Sequence, residues 1–230
     1  MSAGAHLLYK GGRRLLDFSI LTNYFDMYME GFLNTLKISL IGLVGSFILG
    51  VIIAVLRIAP FRLLNFIGAC YVEFIRNIPV LVIAFFFYFG LSVYVNMSGF
   101  VAGTIALTIY TSAFIAEAVR AGIQSVDKGQ MEAARSTGLT YTQAMRMIIL
   151  PQAIKIVIPP IGNQFLNLVK NSSIMAMIAG MDLMYFADAV HEKTYVTFDT
   201  YIFVAMFYLV ITIPLSLLVN YLEKRMANAY

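Results

Sequence analysis

The 230-residue chain has no tryptophan, one cysteine, two histidines and few charges. A lone cysteine, Cys70, excludes an internal disulfide and a cysteine-built metal cage. His6 and His191 lie far apart, outside any ligand-spaced pattern and outside the long apolar runs, which argues against a Ser-His hydrolase in the membrane. Charged residues form 12% of the chain, where a soluble domain carries roughly 25%. That is too few to keep a whole surface in water. No phosphate loop of the G-x-x-x-x-G-K type is present, nor a G-x-S-x-G elbow, nor an HExxH pair. The chain is therefore not expected to bind ATP, a metal or any cofactor itself. A formal charge of +4 reflects where loops sit and implies no nucleic-acid partner.

What fills the space is apolar, at 60% of residues. The length suits one domain with a handful of spans of roughly 20 residues each in a lipid bilayer. Lys10, Arg13, Arg14, Asp17 and Asp26 interrupt the start, so it does not read as a cleaved signal. Residues 1–30 read as an external or interfacial segment. Phe18, Ile20, Leu21, Tyr24, Phe25 and Tyr28 suggest a short helix on the outer surface. Residues 31–230 read as the transmembrane domain. Five spans are expected, at about Phe32–Leu56, Gly68–Val93, Phe100–Val119, Pro151–Ala179 and Tyr201–Tyr221. The fold class is all-α and polytopic.

Orientation follows from the basic residues. Arg57, Arg62, Arg120, Lys128, Arg135, Arg146, Lys155, Lys224 and Arg225 fall in or beside alternate segments. The intervening segments hold almost none, Lys193 excepted. The positive-inside bias puts the third-to-fourth segment and the C-terminus in the cytoplasm, with the N-terminus outside. Lys10, Arg13 and Arg14 run against that assignment.

The large loop, about 120–151, is polar but not featureless. Met131 to Arg135 are good helix formers, Gly138 is placed as a C-cap, and Thr140 with Gln143 has capping-box spacing. A helix, a sharp turn and a second helix follow, with Ala144, Met147 and Ile148 leading back to the membrane. On physical grounds this is either a docking knob or a hairpin that only joins two spans.

Within the fourth span, Asn163, Asn167, Lys170 and Asn171 recur at helical spacing, with Gln164 at the margin. Polar groups in a span face protein or water, and functional use is the first hypothesis. Pro159, Pro160 and Gly162 invite a bend there. Such a stripe suits the carboxylate and amine of a zwitterion losing its water, or serves as glue between helices. Glu73 and Arg76 share a face of the second span and are either a local pair or part of a path. Glu117 and Arg120 have the same spacing and read as a structural salt bridge, and Thr104, Thr108 and Thr111 as packing residues.

Glu132-Ala133-Ala134, then Gly138, Ile148, Leu150 and Pro151, at the spacing seen here, matches the EAA loop of ABC importer permeases. The surrounding stretches EGFLNTLKISL, YTSAFIAEAVRAGIQSVDKGQMEAARSTGL and LPQAIKIVIPPIGNQFLNLVKNSSI resemble the polar amino acid permeases, the family of histidine, glutamine and glutamate importers. The likeness covers about Phe18 to Met226. One departure is Arg76-Asn-Ile-Pro79 followed by Ile83, where the family often has a Gln. The resemblance implies a type I importer permease that pairs with a second copy or a paralogue. ABC ATPase subunits carrying ATP and Mg would dock on the seven loop residues. An extracellular or periplasmic substrate-binding protein would deliver an amino acid, and the complex would sit in a bacterial cytoplasmic membrane. The chain itself would be a transporter subunit and not an enzyme, working by alternating access. The stripe holds amides with Lys170 as its only formal charge and no carboxylate to pair a cationic side chain, which favours a neutral polar or acidic cargo such as glutamine or glutamate. Methionine, cystine or an oxyanion are the sibling alternatives, and a membrane enzyme is the rival from another class.

Overall fold

The computed structural model describes residues 16–227. His6, Lys10, Arg13 and Arg14 lie outside the described residues. Helices account for nearly all of the rest. They are α1 (Phe18–Asn23), α2 (Phe25–Ile58), α3 (Arg62–Arg76), α4 (Val80–Phe85), α5 (Gly99–Gln124), α6 (Lys128–Ser136), α7 (Tyr141–Ala144), α8 (Leu150–Asn171), α9 (Leu183–Thr194) and α10 (Thr197–Ala227). A π-helical turn, Phe86–Leu91, extends α4, and another, Met145–Ile149, joins α7 to α8. A 3-10 turn, Ser172–Ile178, follows α8. No strand occurs among the described residues.

Among the described residues, four continuous stretches are long and apolar enough to cross a membrane: Phe25–Ile58, Gly99–Gln124, Tyr141–Ile178 and Thr197–Met226. The pair Arg62–Arg76 and Val80–Leu91 makes a fifth crossing only as a broken span, bent by 102°. The second span expected at about Gly68–Val93 is thus a broken one that begins earlier, at Arg62. Pro79 lacks an N–H and steers Ile78 away from helical geometry. The Asn77 side chain donates to the Glu73 carbonyl at 2.6 Å, closing α3 just before it.

At 34 residues α2 is about 51 Å long, well beyond a hydrocarbon core of about 30 Å. Its charge-free stretch, Ile38 to Leu56, covers 19 residues, or about 28 Å. The first turns of α2 therefore rise clear of the apolar slab. There they pack with α1, α9 and the start of α10 into a cap. Tyr28 is fully buried in this cap, stacked on Phe207 at 5.8 Å, and its hydroxyl donates to the Thr200 carbonyl at 3.4 Å. Phe25 and Tyr28 thus belong to α2, and only Phe18–Asn23 forms the separate short helix. Ile20 of that helix is buried and Phe18 meets Phe203 at 5.6 Å.

In the slab, α5 is the central helix. Its buried face is mostly small: Ala102, Gly103, Thr104, Ala106, Thr111, Ser112, Ala113 and Ala116. Gly42, Ser46, Gly50 and Ala54 of α2 are buried as well. Small facing residues let helices approach closely where water supplies no hydrophobic push. The Thr104 and Thr108 hydroxyls donate to the carbonyls of Phe100 and Thr104, at 2.6 and 2.7 Å, and Thr111 is buried. These threonines are packing residues.

Pro159-Pro160 does not break the helix: α8 is continuous through both. Each proline removes one N–H from the ladder, and neighbouring helices hold such a span in shape. Gly162 is a point of close contact, since a Cβ there would lie 2.8 Å from Val219 of α10. The helix changes instead at Ser172, where it tightens into the 3-10 turn that ends with Ala179 at φ 53°.

Candidate coupling loop and polar path

The link from α5 to α6 is three residues long. The Ser125 N–H donates to the Ala121 carbonyl at 2.9 Å, and the Asp127 carboxylate caps α6 by accepting the Gly129 N–H at 2.7 Å. Gly138 follows α6 at φ 89°. The Gly138 N–H reaches the Arg135 carbonyl at 3.1 Å and the Leu139 N–H reaches the Ala134 carbonyl at 3.3 Å. Those two bonds define a Schellman ending. The Arg135 guanidinium donates to the Leu139 carbonyl at 2.9 Å and holds the turn from outside. The capping box then starts α7: the Thr140 N–H donates to Gln143 Oε1 at 2.8 Å, and the Gln143 N–H to Thr140 Oγ1 at 3.3 Å. Helix, turn and helix stand as read from the sequence, each backbone end satisfied locally.

Exposure sorts the seven loop-motif residues. Glu132, Ala133, Gly138 and Pro151 are exposed, and Ile148 and Leu150 are half-buried. Ala134 is buried, turned inward to the loop's own interior. Only Ala133 of the alanine pair can present a close-approach surface. Tyr141 and Met147 are 58% and 62% exposed on the same knob, a pair of large apolar groups not singled out as contact residues from the sequence. Gln152 Nε2 donates to the Ile148 carbonyl at 2.9 Å and reaches Gln130 Oε1 at 3.4 Å, tying α6 to α8. A cavity of about 500 Å³ lies between the end of α5 and the knob, with Asp127, Lys128 and Tyr141 among its walls.

On α8 the side chains of Asn163, Asn167 and Lys170 are exposed and Asn171 is half-buried. Among the described residues no side-chain hydrogen bond or ion pair engages any of the four. Buried Ala153, Val157, Leu168 and Val169 hold the helix to the bundle. The result is an amide stripe facing out of an otherwise apolar bundle.

Glu73 and Arg76 do not join this stripe through any hydrogen bond or ion pair among the described residues, and they do not pair with each other. Arg76 instead lies over the Phe114 ring, 5.3 Å from its centroid, a cation–π arrangement. Ile83, where a Gln was expected, is buried in an apolar cluster with Ile75, Ala84, Ala102 and Ala106. The Glu117–Arg120 salt bridge is present, with Nη2 to Oε1 at 2.5 Å and Nε to Oε2 at 3.1 Å. A second partner was missed. Arg57, from the end of α2, pairs with the same carboxylate. The intrahelical pair already accounted for Glu117, so no unmet charge in the sequence pointed to Arg57.

The fold and these features define a class: a helical, multi-span membrane protein that carries a helical knob on one end of its bundle. Residues 46–228 match the family described as binding-protein-dependent transport system inner membrane component, and the chain belongs to that family. It is a permease component of such a transport system. The "Probable glutamine ABC transporter permease protein GlnM" of Bacillus subtilis (strain 168) is 67% identical over 216 residues, 94% of this chain and 100% of the relative. The "Probable glutamine ABC transporter permease protein GlnP" of the same organism is 38% identical, covering 85% of this chain and 92% of the relative. A crystal structure of an amino acid ABC transporter with histidines superposes at TM-score 0.86 with 38% identity, over 92% of this chain and 100% of that one. An inward-facing MetNI methionine ABC transporter shares the fold at TM-score 0.72 and 19% identity, over 87% of this chain and 98% of that one.

Proposed function

We propose that this chain is the permease subunit of an ATP-driven importer for polar amino acids, with glutamine as the preferred cargo. The observation that carries the reading is the outward amide stripe of α8, polar groups left without partners on a membrane helix. A zwitterion with a carboxamide side chain offers donors and acceptors matched to asparagine. A second permease copy or a paralogue faces the stripe and closes the path. Two ATPase subunits dock on the knobs through Glu132, Ala133, Gly138 and the Tyr141–Met147 surface, and a binding protein delivers the solute at the opposite end. ATP and Mg sit on the ATPases. The relatives named for glutamine support the cargo.

The test is ATP-dependent uptake by the reconstituted full complex, with labelled glutamine, glutamate, histidine, arginine and methionine offered separately. Glutamine is expected to dominate. The neighbour crystallised with histidines makes histidine the second arm of interest, and preferential histidine or arginine uptake would replace the cargo assignment.

A further inference from the structure

The charge-free part of α2 ends at Arg57, and that of α5, which begins at Gly99, ends at Glu117. These two residues meet. The Glu117 carboxylate takes Arg57 on Oε2 and Arg120 on both oxygens. Arg120 also donates to Gln124, at the last turn of α5, and the Asn65 amide at the start of α3 donates to the Arg57 carbonyl. The side chains of Arg57, Glu117 and Arg120 are 12%, 23% and 25% exposed. Glu73 and Arg76 lie within electrostatic reach. The cluster thus links α2, α3 and α5 at one level of the bundle.

Three residues beyond α5 the knob begins, and that link is capped at both ends. The knob is thus joined to α5 by a short link with hydrogen bonds at each end. The exposed outer face of α2 is wholly apolar near this level, at Ile48, Ile52 and Val55. Among the described residues, the α2–α5 seam below Ala54 and Ile53 has this one charged attachment.

We infer that Arg57, Glu117 and Arg120 form a transmission pin, positioning residues that make α2 move with α5 and the knob as one body throughout the transport cycle. A charged pair is suited to that task at the edge of the slab. Separating it would leave a poorly hydrated charge on each helix, whereas apolar contacts could slide. The alternative for the same geometry is a latch that must open in each cycle.

The pin rests on the importer reading above, so the experiment uses the reconstituted full complex and reads ATP hydrolysis and glutamine uptake together. Absence of ATP-dependent uptake by the unmodified complex would sink the importer reading itself. With that uptake in hand, Glu117→Gln and Arg57→Gln are expected to keep ATP hydrolysis while raising ATP consumed per solute by about fivefold or more, the low end of typical coupling between sites. Arg57→Lys, which keeps the charge, should restore most of the ratio. Unchanged ratios in both Gln variants would overturn the pin. A second arm does not depend on those variants folding. In a Cys70→Ala background, Arg57→Cys with Glu117→Cys is bridged by a short bis-methanethiosulfonate. Restored coupling on bridging supports the pin, because a bond that never opens replaces it. Uptake abolished by bridging and recovered on reduction would show a latch and overturn the pin.

Discussion

Two residues illustrate how far local chemistry determines behaviour. Gly138 sits at φ 89°, and an added Cβ would meet nothing within 4 Å. Its requirement is therefore conformational and not steric. A β-branched residue in that region costs roughly 1–3 kcal/mol, whereas asparagine tolerates it. Gly138→Val should lower ATPase binding and uptake while leaving insertion intact, and Gly138→Asn should stay near the unmodified level. Pull-down of the ATPase with each variant checks this, and equal capture by both would refute the conformational account. Asp182 is the second case. It caps α9, accepting the N–H groups of Met184 and Tyr185 at 3.1 and 3.2 Å, and is fully buried between α2 and α10. Burial, the largest influence, pushes its carboxyl up from 3.8 to about 6, against the pull of those hydrogen bonds and of Tyr208. A folded value above the unfolded one means the native state holds the proton more tightly. Its stabilising contribution is complete below 3.8 and is lost as pH rises to about 6. A shift near two units corresponds to about 3 kcal/mol at most. The melting temperature in detergent should fall between about pH 4 and pH 6.5. Asp182→Asn should show a flatter profile over that interval, and parallel profiles would remove Asp182 as the cause.

At the scale of elements, the parts legible in the sequence were those governed by short-range rules. The α6 ending, the Gly138 turn and the capping box depend on neighbours within five residues, so residue identity was enough to place them. The spans were legible as apolar runs, but their geometry was not. The bend at Asn77–Pro79 lies inside what read as one span, Gly68–Val93, while Pro159-Pro160 invited a bend and is continuous helix. What decides between these outcomes is the surrounding packing. Val219 presses on Gly162 and supports α8, whereas the Asn77 side chain closes α3 on itself. Long-range pairing was also hidden, as with Arg57 and Glu117, 60 positions apart. The α8 stripe was visible as a spacing, and its outward direction required the three-dimensional arrangement. That direction makes a prediction at this scale. Replacing an unpartnered amide at the stripe with leucine removes no intrachain bond, so Asn167→Leu and Asn171→Leu should leave folding unchanged. Glutamine uptake should fall by roughly tenfold, the loss of about one hydrogen bond to the moving solute. Unchanged uptake in both variants would leave the fold and family untouched and remove the stripe from the path.

For the whole molecule, the distribution of charge and of excess helix length makes the two ends different. At one end stand Arg57, Arg62, Arg120, Lys128, Arg135, Arg146 and Lys155, with Lys224 and Arg225 from α10. At the other end α2 projects beyond the slab and packs with α1 and α9 into the cap, whose exposed charges include Asp26, Glu30, Glu192 and Lys193. Basic residues close to span ends are retained on the cytoplasmic side. On the proposed reading the knob would also share a compartment with the ATP that the ATPase subunits consume. Both arguments put the knob inside and the cap outside, where a binding protein would meet it and where external pH would set the charge of Asp182. A single cysteine at exposed Glu192 in the cap, in a Cys70→Ala background, should react with a membrane-impermeant thiol reagent on intact cells. A cysteine at exposed Thr142 of the knob should react only once the membrane is opened. Labelling of the Thr142 position in intact cells would invert the molecule, and with it the side on which the ATPase and the binding protein act.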